Sequence, residues 1–552
     1  MDIGSIPILT IITFLPLVGA ILIAGAPASA ARPVALGVAV LTFVVSLFLL
    51  VGYLPGRVGF QFVESYSWIP TFGIQYKLGA DGLSVALVVL TTTLTWIAIL
   101  ASFKPIQTRI KEYMISFLVL EVGMIGVFLA LDTFLFYIFW EIVLVPMYLI
   151  IGIWGGANRI YATIKFVLYT LVGSLLMLVA ILATAYAYQA APEHAGSWVG
   201  AFDFEALKAY AGTGGFADGL QLLAFVAFFL AFAIKVPMFP FHTWLPDAHT
   251  EAPTAGSVIL AAILLKLGAY GFVRFAVPLY PSAAETFAPV IIVLSLIAII
   301  YGAIVALVQP DLKRLVAYSS VSHMGFVTLG IFIFTEQGLQ GAILQMINHG
   351  LITGALFLLV GIIYERTHDR TIAKMGGLAG RTPLYAAVFG FFVFASAGLP
   401  GLSGFVGEFL VLVGTFEANP YAAAVATFVM ILAAGYLLWM YGRIVFGEVS
   451  EFLAGLGDHL TDMTPVEILT LVPLGALVVI FGLAPGLLLD LVSGTVRETL
   501  AVVEPSAPIA VPSTVVIGSL ALLTLLVIAR IAWVLVVRPR RTTLEPEGGT
   551  LH

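Results

Sequence analysis

The sequence lacks cysteine and contains few charged residues. The absence of Cys excludes disulfides, thiolate metal sites, Cys-ligated iron–sulfur clusters and a Cys nucleophile. Only 24 Lys and Arg and 30 Asp and Glu occur among the 552 residues, so 10% of the chain is charged, whereas an ordinary soluble domain has about 25%. A soluble protein of this length could not cover its surface with so few charges. A water-soluble enzyme, a disordered chain and a nucleic-acid-binding protein are therefore excluded, and the net charge of -6 says little about partners.

Hydrophobic residues make up 61% of the chain, and a helix that crosses a bilayer needs about 20 of them. The composition predicts an all-α polytopic membrane protein with about fifteen transmembrane helices. The N-terminal run has no basic segment and no small-residue cleavage site, so it is interpreted as the first span rather than as a signal peptide. In chain order the predicted spans are 6–25, 33–53, 80–102, 112–131, 133–153, 163–190, 219–249, 254–275, 285–308, 312–334, 337–363, 384–418, 421–446, 466–489 and 513–537.

Two of the connections between the predicted spans are long enough to contain structure of their own. Residues 54–79 alternate between aromatic and turn residues, which predicts a short hairpin on the membrane surface. Residues 191–218 form a polar connection with a short amphipathic stretch.

The Lys and Arg residues are divided unevenly between the two sets of connections. Sixteen of them, including Lys313, fall on one side, and five, including Arg274, fall on the other. The positive-inside rule places the larger set in the cytoplasm and the N-terminus outside. The fifteenth span is followed by Arg538, Arg540 and Arg541, which predicts a cytoplasmic C-terminus. The alternative for this segment is a helix lying along the outer surface.

Two predicted spans, the seventh and the twelfth, are too long for one straight helix across a bilayer. The seventh contains Pro237 and Pro240, and the twelfth contains Pro400, Gly401 and Gly404, so we expect a helix break in each. The two segments begin alike and lie five spans apart, which would give them opposite orientations. That spacing is typical of inverted repeats with a functional site at each broken helix, although two independent proline kinks would also explain it.

The repeats divide the chain into predicted domains. They are spans one to three with the external hairpin (1–111), the first five-helix repeat of spans four to eight (112–275), the second repeat of spans nine to thirteen (285–446), span fourteen (447–489) and an external segment with the extra span and basic tail (490–552).

Several ionisable side chains fall near the middle of predicted spans, where a charge costs about 3 kcal/mol or more. They are Glu121, Glu141, Lys235, Lys266, His323, His349 and Glu408. Leaving Glu121 aside, the order is acid, base, base, imidazole, imidazole, acid. A buried Lys can release its proton near neutral pH and His titrates there unaided, so this order suits the transfer of protons. The alternatives are structural ion pairs for the acids and lysines, satisfied core histidines, and for Glu121 a hydrogen bond to a neighbouring helix.

A second polar group follows the first predicted helix break. His242, Asp247, His249 and Glu251 are interpreted as a possible mouth of the path on the cytoplasmic side, or as helix caps. A metal site built from His242, Asp247 and His249 would need more ligands than the pattern offers, so no metal is expected.

Three stretches resemble the antiporter-like membrane subunits of respiratory complex I, the bacterial NADH-quinone oxidoreductase. They are Phe139–Tyr148 around Glu141, Lys235 to Lys266, and Gly398–Phe409 around Glu408. The resemblance covers residues 1 to about 490. The middle stretch is shared with Mrp-type cation/proton antiporters, whereas the Gly-Phe-Val-Gly-Glu-Phe run is similar to subunit M, whose mitochondrial counterpart is chain 4.

The resemblance implies roles for these residues. Glu141 matches the acid that pairs with the lysine of the broken seventh span, here Lys235. Lys266 matches the central lysine of span eight, and His323 and His349 match polar relay positions. Glu408 matches the terminal acid of the broken twelfth span.

The same resemblance implies the partners and the location. The chain would be a multi-pass protein of the bacterial inner membrane that contacts the antiporter-like subunits L and N. It would carry no cofactor of its own, because NADH, FMN, the iron–sulfur clusters and quinone bind other subunits. Family members usually have fourteen spans, so the span at 513–537 departs from the pattern. The alternative functions are an Mrp-type Na⁺/H⁺ antiporter subunit and a passive scaffold or channel.

Overall fold

The computed structural model describes residues 6–503 and Gly518. The chain divides into a unit of residues Met1–Ile509, which contains all the elements below, and a unit of residues Ala510–His552. The predicted fifteenth span, 513–537, and the basic tail after it lie outside the described residues, apart from Gly518.

Helices dominate the described part of the chain. The first half contains α1 (Ile8–Gly25), α2 (Ala31–Gly52), α3 (Gly82–Ala101), α4 (Ile110–Leu129), α5 (Thr133–Ile142), α6 (Leu144–Trp154), α7 (Arg159–Ala190), α8 (Phe204–Gly212), α9 (Asp218–Lys235), α10 (Trp244–Glu251), α11 (Thr254–Ile259), α12 (Leu265–Gly271) and α13 (Val277–Leu279). The second half contains α14 (Pro281–Leu307), α15 (Leu312–Phe332), α16 (Glu336–Thr367), α17 (Leu378–Arg381), α18 (Pro383–Ser396), α19 (Ser403–Ala418), α20 (Pro420–Val445), α21 (Glu451–Gly455), α22 (Pro465–Leu483) and α23 (Gly486–Leu500).

Thirteen helical segments in the described residues are long and apolar enough to cross a membrane. They correspond to predicted spans one to eleven, thirteen and fourteen, so the prediction of a polytopic helical membrane protein is confirmed. The predicted end of span fourteen at residue 489 is wrong, because α22 ends at Leu483 and a separate helix, α23, begins at Gly486. α8 is the short amphipathic helix expected in the connection 191–218.

Helix starts follow ordinary capping chemistry. The side chain of Asp132 accepts hydrogen bonds from the N–H groups of Phe134 and Leu135, and Asp311 accepts one from the N–H of Arg314. These caps satisfy N–H groups that the first turn of a helix leaves free. Proline is the first residue of α14, α18, α20 and α22, a position where its missing N–H is not needed.

The predicted hairpin is present as two antiparallel strands, β1 (Gln61–Ile69) and β2 (Ile74–Ala80), with Tyr66 opposite Tyr76. Its first strand is tied to the start of α1, since the Glu64 carboxylate accepts hydrogen bonds from the N–H groups of Leu9 (2.7 Å) and Thr10 (3.1 Å).

Both overlong segments are split into two helices. In the first, α9 ends at Lys235 and α10 begins at Trp244, so Pro237 and Pro240 lie in the gap. In the second, α18 ends at Ser396 and α19 begins at Ser403. Gly398 and Gly401 lie in this gap with φ of 79° and 94°, values that favour glycine over residues with a side chain. Gly404 belongs to the first turn of α19, where a Cβ would collide with the carbonyl oxygen of Ala395.

The segment from α11 to α13 lies at the centre of the described unit. Within the segment Thr254–Leu279, every residue of the most apolar stretch is buried. The same is true of the most apolar stretch of α16. The helix is interrupted by two π-helical stretches, Leu260–Leu264 and Phe272–Ala276. π-Helical turns change the local hydrogen-bond pattern and often occur at functional sites.

Candidate functional site

Lys266 lies in α12, directly after the first π-helical stretch, and its side chain is fully buried. Its Nζ donates a hydrogen bond to the carbonyl oxygen of Ala261, 2.7 Å away. The same Nζ lies 2.6 Å from Nδ1 of His349, which α16 presents. A protonated Lys266 can therefore donate directly to an unprotonated Nδ1 of this imidazole.

The second histidine is in contact with the last acid. Nδ1 of His323 lies 2.5 Å from Oε1 of Glu408, and the same oxygen accepts a hydrogen bond of 2.9 Å from Nε2 of Gln345. His323 belongs to α15 and Glu408 to α19, and the two side chains meet where α19 packs against α15 and α16. All three side chains are buried.

A short gap separates the two contacts. The ring centroids of His323 and His349 are 6.0 Å apart. Both rings and Glu408 line a cavity of about 10 Å³, which is close to the space that one water molecule requires. Lys266, His349, His323 and Glu408 thus form a row, in which the two histidines lie between the lysine and the acid but in the reverse of their order along the chain.

The start of α19 is held against the row by α16. Nδ2 of Asn348 donates to the carbonyl oxygen of Ser403, 2.7 Å away. Gly407 packs on Gln345, since a Cβ at this position would lie 2.7 Å from Oε1 and 3.0 Å from Cα of Gln345. The absence of a side chain at Gly407 therefore brings Gln345 and Glu408 within hydrogen-bonding distance.

Lys235 and Glu141 are arranged differently from the row. Lys235 ends α9 and is buried, with Nζ 5.4 Å from the ring centroid of Trp140 and 5.6 Å from that of Phe166. Aromatic faces stabilise a buried ammonium group. Glu141 lies within electrostatic range of Lys235, but among residues 6–503 the two side chains are not joined by a hydrogen bond or by an ion pair within 4.0 Å. The predicted pair is thus separated in this structure.

The four residues interpreted as a mouth occupy separate environments. His242 is buried against Phe239 and Tyr301, with ring centroids 5.8 and 5.0 Å away. Asp247 forms ion pairs with Lys165 (2.7 Å) and Arg314 (3.7 Å). In the part of the chain that the structure describes, His, Asp and Glu side chains form no group of three that could hold a metal ion.

Glu251 lines a polar cavity of about 490 Å³. The cavity is also lined by Lys313, Glu365 and Arg370. Lys313 is buried and donates to the carbonyl oxygen of Ala252, 2.5 Å away.

His249 lies deeper than this cavity. Its ring is fully buried and stacks on Phe357, with centroids 4.6 Å apart. It lies within electrostatic range of both Lys313 and Lys266. His249 is therefore close both to Lys313, which lines the cavity, and to Lys266 of the buried row.

Glu121 is fully buried in α4, and neither carboxyl oxygen has a hydrogen-bond partner within residues 6–503. The alternative interpretation of Glu121, a hydrogen bond to a neighbouring helix, is therefore wrong for this structure.

Three other residues near the path were missed or misplaced. Gln345 stands four residues before His349 and thus on the same helix face, a signal that could have identified it. Arg274 and Lys313 were counted with the connections. The structure corrects both, because Arg274 is buried in the second π-helical stretch and Lys313 is buried in the first turn of α15. A count of charged residues cannot distinguish a residue in a loop from one in the first or last turns of a helix.

Comparisons with known proteins agree with this architecture. A family model described as "NADH:quinone oxidoreductase/Mrp antiporter, TM" matches residues 130–434. NADH-quinone oxidoreductase subunit M of Rhodobacter capsulatus is 52% identical over 500 residues, which cover 89% of this chain and 96% of that protein. This chain belongs to the antiporter-like membrane subunits of NADH-quinone oxidoreductase.

Solved structures of the family share the fold. A chain of respiratory complex I from Thermus thermophilus with bound NADH superposes with a TM-score of 0.79 at 32% identity, over 90% of this chain and all of that chain. A chain of the Mrp complex from Dietzia sp. superposes with a TM-score of 0.76 at 22% identity, over 98% of this chain and 57% of that chain. The Mrp likeness shows the shared fold, whereas the higher identities belong to complex I subunits.

Proposed function

We propose that this subunit moves protons across the bacterial inner membrane while other subunits of NADH-quinone oxidoreductase carry out the redox chemistry. Its partners are subunits of that complex, and we expect the antiporter-like subunits L and N to be its neighbours. NADH, FMN, the iron–sulfur clusters and quinone would bind elsewhere in the complex. The absence of Cys from the chain supports this for the clusters, because their usual ligands are thiolates.

The row from Lys266 to Glu408 carries the proposal. Each member can hold a proton, and each contact within the row is short enough for hydrogen bonding or for one bridging water. A buried amine, two imidazoles and a carboxyl exchange protons at moderate cost. A structural role alone would not require four ionisable groups in series inside a membrane, where each is expensive to bury.

Protons would enter from the cytoplasm through the cavity beside Glu251 and Lys313, pass His249, and reach Lys266. They would then move through His349 and His323 to Glu408 and leave to the outside. The direction rests on the distribution of Lys and Arg, which predicts that the N-terminus lies outside and the C-terminus in the cytoplasm.

Glu141 and Lys235 would control the occupancy of the row. An ionised Glu141 close to Lys235 favours the ammonium form, and separation of the two releases the proton. The separated arrangement seen here, with Lys235 against Trp140 and Phe166, would be one of the two states of this switch.

Replacement of Lys266 tests the proposal. Membrane vesicles would carry the whole complex with Lys266→Met or, as a control, with Lys104→Met at an exposed position. We expect NADH-driven proton uptake to fall at least tenfold in Lys266→Met and to stay unchanged in the control. NADH oxidation with an artificial electron acceptor would report that the complex is assembled. Normal proton uptake by assembled Lys266→Met complex would contradict the proposal.

A further inference from the structure

Arg274 lies eight residues after Lys266 on the same central helical segment, on the side of the predicted outer surface. Eight helical residues span about 12 Å. The guanidinium is buried, with 4% of the residue exposed, and Nη2 lies 2.5 Å from Oδ2 of Asp81. Asp81 is itself buried and caps α3, next to the hairpin. A charged pair is therefore enclosed between Lys266 and the outer surface.

The pair is fixed from several sides. Ser84 N–H and Thr495 Oγ1 donate to the two oxygens of Asp81, at 2.9 and 2.7 Å. Arg274 Nε donates to the hydroxyl of Tyr270, at 3.2 Å, and this hydroxyl donates to the carbonyl oxygen of Phe128, at 3.0 Å.

Aromatic rings enclose the guanidinium itself. Its carbon lies 4.7 Å from the ring centroid of Phe60, 5.3 Å from that of Tyr270 and 5.9 Å from that of Phe204. The guanidinium therefore has hydrogen-bond or ring partners on several sides, which leaves little room for water.

The enclosed guanidinium affects the routes by which a proton could leave Lys266. Lys266 and Tyr270 are four residues apart, as are Tyr270 and Arg274, so the three side chains follow one another on one helix face. This face would offer a second route from Lys266 to the outside, beside the contact with His349. A guanidinium does not lose its proton in proteins, so it cannot relay one. Its charge is balanced by Asp81, so the barrier comes from a group that cannot relay a proton and from the rings that leave little room for water.

We propose that Arg274, held by Asp81, is a plug that closes the direct outward route from Lys266 and leaves the contact with His349 as the way out. The proposal rests on the proposed function, because it takes Lys266 as a proton carrier. Its own content is the barrier, which can be measured without NADH.

The test is passive proton permeability. Whole complex would be reconstituted in lipid vesicles, a pH gradient imposed without NADH, and its decay followed with an internal pH dye. We expect Arg274→Gln to raise the permeability at least tenfold over wild type. Lys208→Gln is the matched control, because it removes another ion pair of this side, Lys208 with Glu498 at 2.5 Å, that involves neither Lys266 nor Arg274.

Two further variants separate a plug from a structural tie. Asp81→Asn breaks the ion pair but keeps the guanidinium, which Tyr270 and the aromatic rings still hold, so a plug predicts wild-type permeability and a structural tie predicts a leak. In the double variant Arg274→Gln with Lys266→Met, the leak should disappear, because its starting point is gone. An assembled Arg274→Gln complex without a leak, a leak in Asp81→Asn, or a leak that persists in the double variant would each overturn the plug. The proposed function is judged separately, by NADH-driven pumping in Lys266→Met alone.

Discussion

Gln345 offers a test of the row that does not remove any ionisable group. Its Nε2 donates a 2.9 Å hydrogen bond to Oε1 of Glu408, which also faces Nδ1 of His323. In Gln345→Leu this donor is replaced by an apolar side chain of similar volume, while Glu408, His323 and His349 all remain. Any loss of pumping would then come from the lost stabilisation of the ionised Glu408 carboxylate.

The expected size follows from the geometry. A hydrogen bond to a charged group contributes about 1.5–3 kcal/mol, and about 1.4 kcal/mol corresponds to a factor of ten in rate. If the ionised form of Glu408 is an intermediate in each transfer, removal of this donor should slow proton uptake by about 10- to 100-fold. The remaining contact with His323 keeps the effect smaller than that of removing Glu408 itself.

The assay is the initial rate of NADH-driven proton uptake in inside-out vesicles, normalised to the amount of assembled complex. Gln340→Leu is the control on the same helix, because the Gln340 side chain donates to Glu336 in an exposed hydrogen bond of 3.1 Å. Uptake by Gln345→Leu within twofold of wild type, with the control also normal, would refute the role assigned to the hydrogen bond.

Three further outcomes are expected. Glu408→Gln should reduce proton uptake more than Glu121→Gln, because Glu408 contacts the row and Glu121 has no partner within residues 6–503; the opposite order would reverse the ranking of the two acids. Glu141→Ala should uncouple pumping in an assembled complex if it acts with Lys235, and vesicles of this variant that pump at the wild-type rate would exclude the pair. A C-terminal tag after the predicted span 513–537 should resist protease added from the periplasmic face of intact cells, whereas its digestion would show that the C-terminus lies outside.

The sequence was most informative where local chemistry decides the structure. Proline and glycine are unfavourable inside a helix, and the gaps between α9 and α10 and between α18 and α19 contain Pro237, Pro240, Pro400 and Gly401. Ionisable residues in apolar runs are rare and costly, so the candidates for the path could be chosen without coordinates. The positions along the chain did not give the order of the two histidines, because His349 contacts Lys266 and His323 contacts Glu408.

The sequence was least informative where distant helices meet. Arg274 and Asp81 are almost two hundred positions apart, and nothing in either local segment indicates that they pair. Helix ends gave a second kind of error, because α12, α13 and their π-helical stretches carry the segment beyond the predicted end at residue 275. Side-chain distances were a third limit. Glu141 and Lys235 could be chosen as partners from the sequence, but a sequence does not show in which conformation the two side chains are in contact.

The proposed row and the proposed switch beside it make different demands on coupling. From Lys266 to Glu408 the groups are already in contact or about one water apart, so transfer there needs only ring rotation and proton exchange. Lys235 and Lys266 are joined instead by packing of their helices, because a Cβ on Gly268 would lie 2.7 Å from the carbonyl oxygen of Phe232 and 3.0 Å from Cβ of Lys235. Movement of the end of α9 would therefore displace α12, because the two helices are in close contact. Under the proposed function, the step that requires motion would be the one beside the first helix break, where Lys235 is separated from Glu141, and the row would respond to the charge that arrives.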